Sequence, residues 1–255
     1  MDLEPAERNP AELRRTAFIL LAVMVIGGGL IFYKYLEHER SKDPNRPPIL
    51  TKLTQNFAAK NQHDEFTSFS PLDGKIWFAA PICVSQLEEN KHAITMMKEI
   101  DAHYSGRDDI HFVLISIDGE DHGVGPAQLA EAAEKLGLPD TRWTLLTSSN
   151  TDRQRGLIKD KLRLGLVLKR DKGDPAGKWK FPSEIALLDH ERHLRGRYDF
   201  KETHEVAAEY KEKVKEHPEL LKDKNIDAYI KATELLRETL YKHTDYVLNE
   251  AKSAK

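Results

Sequence analysis

The 255 residues leave room for one full domain of about 150 residues with extensions at either end. Charged residues make up 32%, aromatic residues 8%, and the net charge is −3. Lysine and arginine are mixed with aspartate and glutamate along the chain, which, with the net charge, argues against a nucleic-acid binder. A single cysteine, Cys83, excludes an internal disulfide and a two-thiolate metal site.

Residues 1–15 read as a short cytoplasmic tail. From Ala17 to Tyr33 the chain is uncharged, flanked by Arg14, Arg15 and Lys34. With its borders at Thr16 and Leu36 this stretch reaches the roughly 20 residues needed to cross a bilayer. A retained transmembrane anchor over 16–36 is expected. A cleaved signal peptide would want a shorter apolar core and small residues at a cut site, whereas Tyr33, Lys34, Tyr35 and Leu36 follow here. Basic residues on the two sides nearly balance, so the positive-inside bias is weak. The short tail and the long folded part fit a bacterial inner-membrane protein with one span and its C-terminal domain in the periplasm.

Residues 37–48 are polar, contain Pro44, Pro47 and Pro48, and read as a linker. The globular domain is expected over 49–200. A short strand at 66–70 precedes the turn Pro71-Leu72-Asp73-Gly74, and a buried strand follows at 76–82. A helix is expected over 84–104, on Leu87, Ala93, Ile94, Met97 and Ile100. The branched run at 110–117 suits a central strand with both faces covered. A helix over 126–136 closes at Gly137. Next come a strand at 143–147, a helix within 152–162, and a hairpin of 183–189 with 194–198. That order predicts an α/β sandwich with a mixed central sheet. Residues 201–255 form a charged helical extension broken at Pro218. Its second helix carries a stripe of Ile226, Tyr229, Ile230, Leu235, Leu236, Leu240, Tyr241, Val247 and Leu248, expected to pack on the chain's own domain or to dock a partner.

Four pieces carry a family resemblance: Gly74-Lys75-Ile76-Trp77, Phe112-Val113-Leu114-Ile115-Ser116-Ile117-Asp118, Arg142-Trp143-Thr144-Leu145-Leu146-Thr147, and Leu187-Leu188-Asp189 with Leu194-Arg195-Gly196. Over residues 66–200, and in the anchor ahead of them, the chain resembles the Sco/SenC family. These are membrane-anchored thioredoxin-like proteins that assist copper insertion into cytochrome c oxidase. The resemblance implies a Cys-x-x-x-Cys pair after the first buried strand and a distant histidine before the last hairpin, a donor set suited to copper and to thiol redox chemistry. Registered on Gly74 to Trp77, the cysteine positions hold Gln86 and Asn90, and Met97 falls where the family's helix also favours methionine. Registered on Asp189, Arg195 and Gly196, the histidine position holds Phe181. Neutral amides are weak partners for Cu(I), and phenylalanine donates nothing.

Other candidate residues are weaker. Cys83, at the end of the strand, reads as a small buried core residue, with a single-thiolate ligand or mixed-disulfide partner as the alternative. His190 and His193 flank a charged turn with metal-like spacing. Glu120, Asp121 and His122 sit at the C-terminal edge of a central strand, where α/β sites gather. Residues 169–174 read as an exposed loop or a charged contact for a partner. The expected function is that of a non-catalytic binding or assembly factor in respiratory cytochrome c oxidase biogenesis. It would need no cofactor, would not act as an enzyme, and would partner an oxidase subunit or another assembly factor. The alternatives are a copper-binding chaperone that uses Cys83 with non-standard ligands, and a single-thiol redox protein.

Overall fold

A computed structural model describes residues 10–41 and 45–253, and the chain divides into two units, Met1–Arg46 and Pro47–Lys255. The first unit holds helix α1, Pro10–Ser41. Within it Arg14–Tyr35 has a mean hydropathy of 2.3 with none of its residues buried, so by length and composition it can cross a bilayer. The helix continues past Leu36 to Ser41, so the first part of the expected linker is helical. Residues 1–9 of the tail, 42–44 of the linker and 254–255 of the extension lie outside the described residues.

In the second unit the elements follow as β1 (Thr51–Lys52), β2 (Ala59–Asn61), β3 (Phe66–Thr67), β4 (Ile76–Ile82), α2 (Lys91–His103), β5 (Ile110–Ser116), α3 (Pro126–Leu136), β6 (Trp143–Thr147), α4 (Thr151–Gly156), β7 (Leu168–Lys169), β8 (Trp179–Lys180), β9 (Ile185–Leu188), β10 (His193–Tyr198), α5 (Phe200–Glu216), α6 (Lys224–Ile230) and α7 (Ala232–Ser253). Among the described residues the strands form an eight-stranded sheet, ordered β1-β10-β9-β4-β5-β6-β2-β3, and a separate β7–β8 ribbon. β4, β5 and β6 are parallel, and β9 and β2 join them antiparallel, which is the expected mixed sheet.

Strand alternation sorts the core into two layers. Ile76, Phe78, Ala80 and Ile82 of β4 face one side, with Ile110, Phe112 and Leu114 of β5. There they meet Met97 and Ile100 of α2, Leu129 of α3, and Leu240, Val247 and Leu248 of α7. Trp77, Ala79 and Cys83 face the other side, with Val113, Ile115 and Ile117, beneath Phe57, Phe69, Leu157, Ile158, Leu162 and Trp179. The distal half of the C-terminal stripe therefore packs on the chain's own domain, whereas Tyr229 and Leu235 stay largely exposed. α3 follows local rules: Pro126 occupies the first turn, the Gln128 side chain accepts from the Gly125 N–H, and Gly137 ends the helix at φ +61°.

The expected helix over 84–104 is interrupted. Val84–Asn90 is a 3-10 segment with Gln86 at φ −139°, ψ 51°, and regular helix starts at Lys91. The expected helix within 152–162 is α4 followed by a π-helical turn, Leu157–Lys161, and the second C-terminal helix breaks near Lys231. The basic loop at 169–174 is the tip of the β7–β8 ribbon.

Candidate functional site

Where β4 ends, its alternating backbone decides what the next residues must do. Ile82 turns its carbonyl to β5 and accepts the Ile117 N–H at 2.9 Å. Pro81 and Cys83 therefore turn their backbone groups to the opposite side, where β9 has already stopped pairing at Ala79. Proline sacrifices no ladder bond there. The open positions are closed by Asn90: its Nδ2 donates to the Pro81 carbonyl at 2.7 Å, and its Oδ1 accepts the Cys83 N–H at 3.1 Å. A wholly buried carboxamide thus stands in for the missing strand.

Gln86 makes the same kind of pairing one turn earlier. Its Oε1 accepts the Trp179 N–H at 2.7 Å, and its Nε2 donates to the Trp179 carbonyl at 3.0 Å and the Ala176 carbonyl at 2.8 Å. This clamp draws Gln86 out of helical geometry and ties the β7–β8 ribbon to the end of β4. Gly177 lies so close that a Cβ there would stand 2.5 Å from the Gln86 carboxamide carbon. Phe181, half-buried, packs against the Cys83 layer of the core.

Cys83 is 1% exposed. Burial pushes its thiol up, the Asp118 charge adds to that, and the Ser85 hydroxyl at 3.3 Å opposes it. A thiol held protonated is a poor nucleophile and a poor ligand. Beside it lies a polar cluster that sequence reasoning did not single out. Asp118 accepts from Arg155 at 2.9 Å and from the Trp179 indole at 3.0 Å, and the Arg155 guanidinium lies 4.2 Å from the Trp179 ring centre. Gln154 donates to the Ser116 carbonyl at 2.7 Å and accepts the Ser148 N–H. The signal available in the sequence was Asp118 at the end of a buried strand, but its partners come from 36 or more residues downstream.

The other candidates are dispersed. Asp121 accepts the Thr151 N–H at the start of α4 and the Thr151 hydroxyl, which lower its carboxyl to about 2, and His122 lies 2.8 Å from the same hydroxyl. Glu120 pairs with Lys60 at 3.4 Å. His193 faces Asp189 at 3.2 Å in the β9–β10 turn, at the N-terminal end of β4, where the Gly74 N–H donates to the His190 carbonyl. Among the described residues no three His, Cys, Asp or Glu side chains gather as a metal-holding group. The donor set at the end of β4 does not fit a copper ion: two amides engaged with the backbone, a phenyl ring and a protonated buried thiol.

The Asn90 closure is open to a direct measurement. Asn90→Ala strands the Pro81 carbonyl and the Cys83 N–H in the core, at about 1–3 kcal/mol each. A loss of about 2–4 kcal/mol in urea unfolding of the full chain is expected. A loss below 0.5 kcal/mol, within the range of ordinary surface substitutions, would remove the stapling role.

No protein-family model and no curated sequence matches the chain. Among solved structures it is similar to BsSco, a member of the Sco family of cytochrome c oxidase assembly proteins, at 19% identity over 60% of this chain and 87% of that one, with a TM-score of 0.50. A SCO1/SenC family lipoprotein from Bacillus anthracis aligns at 20% identity over 59% and 86%, with a TM-score of 0.49. Arabidopsis thaliana ScoI with copper bound aligns at 14% over 73% and 97%, with a TM-score of 0.47. The likeness to BsSco shows the fold, a thioredoxin-like α/β sandwich.

Proposed function

We propose that this is a Sco-like thioredoxin-fold protein, anchored by α1 in a bacterial inner membrane with its domain in the periplasm. It acts by binding a protein partner in cytochrome c oxidase biogenesis rather than by carrying copper or exchanging thiols. One observation carries the reading. The two positions that align with the family's cysteines, Gln86 and Asn90, are occupied by carboxamides paired with backbone groups of Trp179, Ala176, Pro81 and Cys83. Such groups hold a scaffold together and do not exchange ligands. The frame that presents a site is kept, and the site has become part of the frame.

Copper is tested directly. Full-length protein in detergent, titrated anaerobically with Cu(I) against a competing chelator, is expected to take no metal from the chelator, and Cys83→Ser is expected to behave identically. In cells lacking the protein, Cys83→Ser is expected to restore cytochrome c oxidase activity as fully as the wild type. Stoichiometric Cu(I) uptake that disappears in Cys83→Ser would overturn the reading in favour of a relocated copper site. A folded Cys83→Ser protein that restores nothing would return the thiol to the mechanism.

A further inference from the structure

We propose that the β7–β8 ribbon is a membrane-contact element that seats on anionic phospholipid headgroups; this deepens the anchored reading above and rests on it. Residues 159–180 contain eight lysines and arginines against three aspartates, in a chain whose net charge is −3. The ion pairs in this stretch are Lys159 with Asp160 and Arg170 with Glu89. Lys161, Lys169, Lys172 and Lys180 are exposed and make no ion pair among the described residues. Leu166 and Leu168 stand among these cations at 55% and 50% exposure. Leu168 and Lys180 are register partners, so their side chains leave the ribbon on the same face.

Exposed leucines near lysines, one of them on the same ribbon face as Leu168, suit the boundary between acyl chains and phosphates, because lysine stems lie along apolar surface while their ammonium groups reach the headgroups. Each cation beside an anionic leaflet strengthens partitioning about fivefold. The ribbon tip also frames a cleft of about 340 Å³, lined by Lys169, Arg170, Lys172 and Lys178 together with Asp171 and Asp174. An acidic protein would answer the lysines but not the two leucines.

The test places a polarity-sensitive fluorophore on Leu168→Cys in the full-length protein, reconstituted in lipid nanodiscs. Cys83 is buried, so the chain without the added cysteine serves as the blank. Leu166→Cys is a second probe should the first disturb the ribbon. Emission is expected to shift to the blue in discs of mixed phosphatidylcholine and phosphatidylglycerol. The shift should be absent in phosphatidylcholine alone, and lost in molar salt or in a Lys169→Glu/Lys172→Glu/Lys180→Glu variant. Equal emission in the two kinds of disc overturns the proposal. So does a shift produced by polyglutamate in neutral discs without one in anionic discs. Alkaline carbonate extraction is read alongside. A chain released by carbonate overturns the anchor and this contact with it, whereas a retained chain with no lipid-dependent shift overturns the contact alone.

Discussion

Arg195→Met is expected to cost about 3–5 kcal/mol of folding stability, the range seen when one partner of a buried ion pair is removed. Arg195 is 1% exposed and holds three stretches of chain at once. Its guanidinium donates to Asp189 in the β9–β10 turn at 2.8 Å, to Glu250 in α7 at 2.6 Å and to the Pro47 carbonyl at 3.1 Å. Without it the Asp189 carboxylate keeps the Glu191 and His193 N–H groups but has lost its buried cation. Glu250 retains solvent on one side, so Glu250→Gln is expected to cost about 1 kcal/mol or less, as partly exposed pairs do. Burial pushes the Asp189 carboxyl up, but Arg195 and the turn's N–H groups outweigh it and hold it below its ordinary value. A depressed carboxylate contributes stability that is complete above its unfolded pKa, about 3.9, and is lost as the pH falls through the folded value. Urea midpoints should therefore fall for the wild type as the pH drops from about 5 toward 2, and fall less steeply for Arg195→Met, which starts lower. Amide exchange in the last turns of α7 should quicken in the variant. Equal midpoints for the two proteins near neutral pH would show that this cluster does not hold α7 to the sheet.

What the sequence reveals and what it hides divide along the reach of the interactions. β4 and β5 are legible because a strand covered on both faces must be a continuous apolar run, and α3 because its proline, glycine and apolar spacing are all local. The burial of Cys83 follows from the same alternation that places Trp77 and Ala79 on one face of the sheet. β1, β2, β7 and β8 are two or three residues each, too short for any period to register. The kink at Gln86 is invisible locally, because a tertiary pairing with Trp179, 93 residues away, sets it. The stripe on α7 announces an apolar face, but its burial in the same core layer as Ile100 and Phe78 depends on how the chain returns to the sheet. For the site, the resemblance puts Gln86, Asn90 and Phe181 where two cysteines and a histidine are expected. It cannot show that the carboxamides close open backbone groups, since that depends on where β9 stops pairing.

That difference predicts what restoring the donors should do. Gln86→Cys/Asn90→Cys/Phe181→His replaces both clamps with thiols and adds an imidazole beside the Cys83 layer of the core. The triple variant is expected to bind one Cu(I) per chain against a chelator that the wild type cannot challenge, because two thiolates and an imidazole are a donor set that soft copper favours. It should also be less stable without metal by about 2–4 kcal/mol, since thiols cannot pair with the Pro81 carbonyl and the Cys83 N–H as Asn90 does. Copper should then offset that loss, contributing about 4 kcal/mol at a thousandfold excess over its dissociation constant, visible as a melting temperature that rises with Cu(I) in the variant and stays flat in the wild type. Asn90→Cys alone separates the two effects, lowering stability without creating a site. A triple variant that keeps the wild-type circular dichroism yet binds no copper would show that positions 86, 90 and 181 do not converge. The proposed register that puts positions 86, 90 and 181 at a metal site would then fall, while the folding role of Asn90 and Gln86 would stand. Copper binding together with an unchanged metal-free stability would mean the reverse: a site recovered at no cost, with carboxamides that had contributed nothing to the frame.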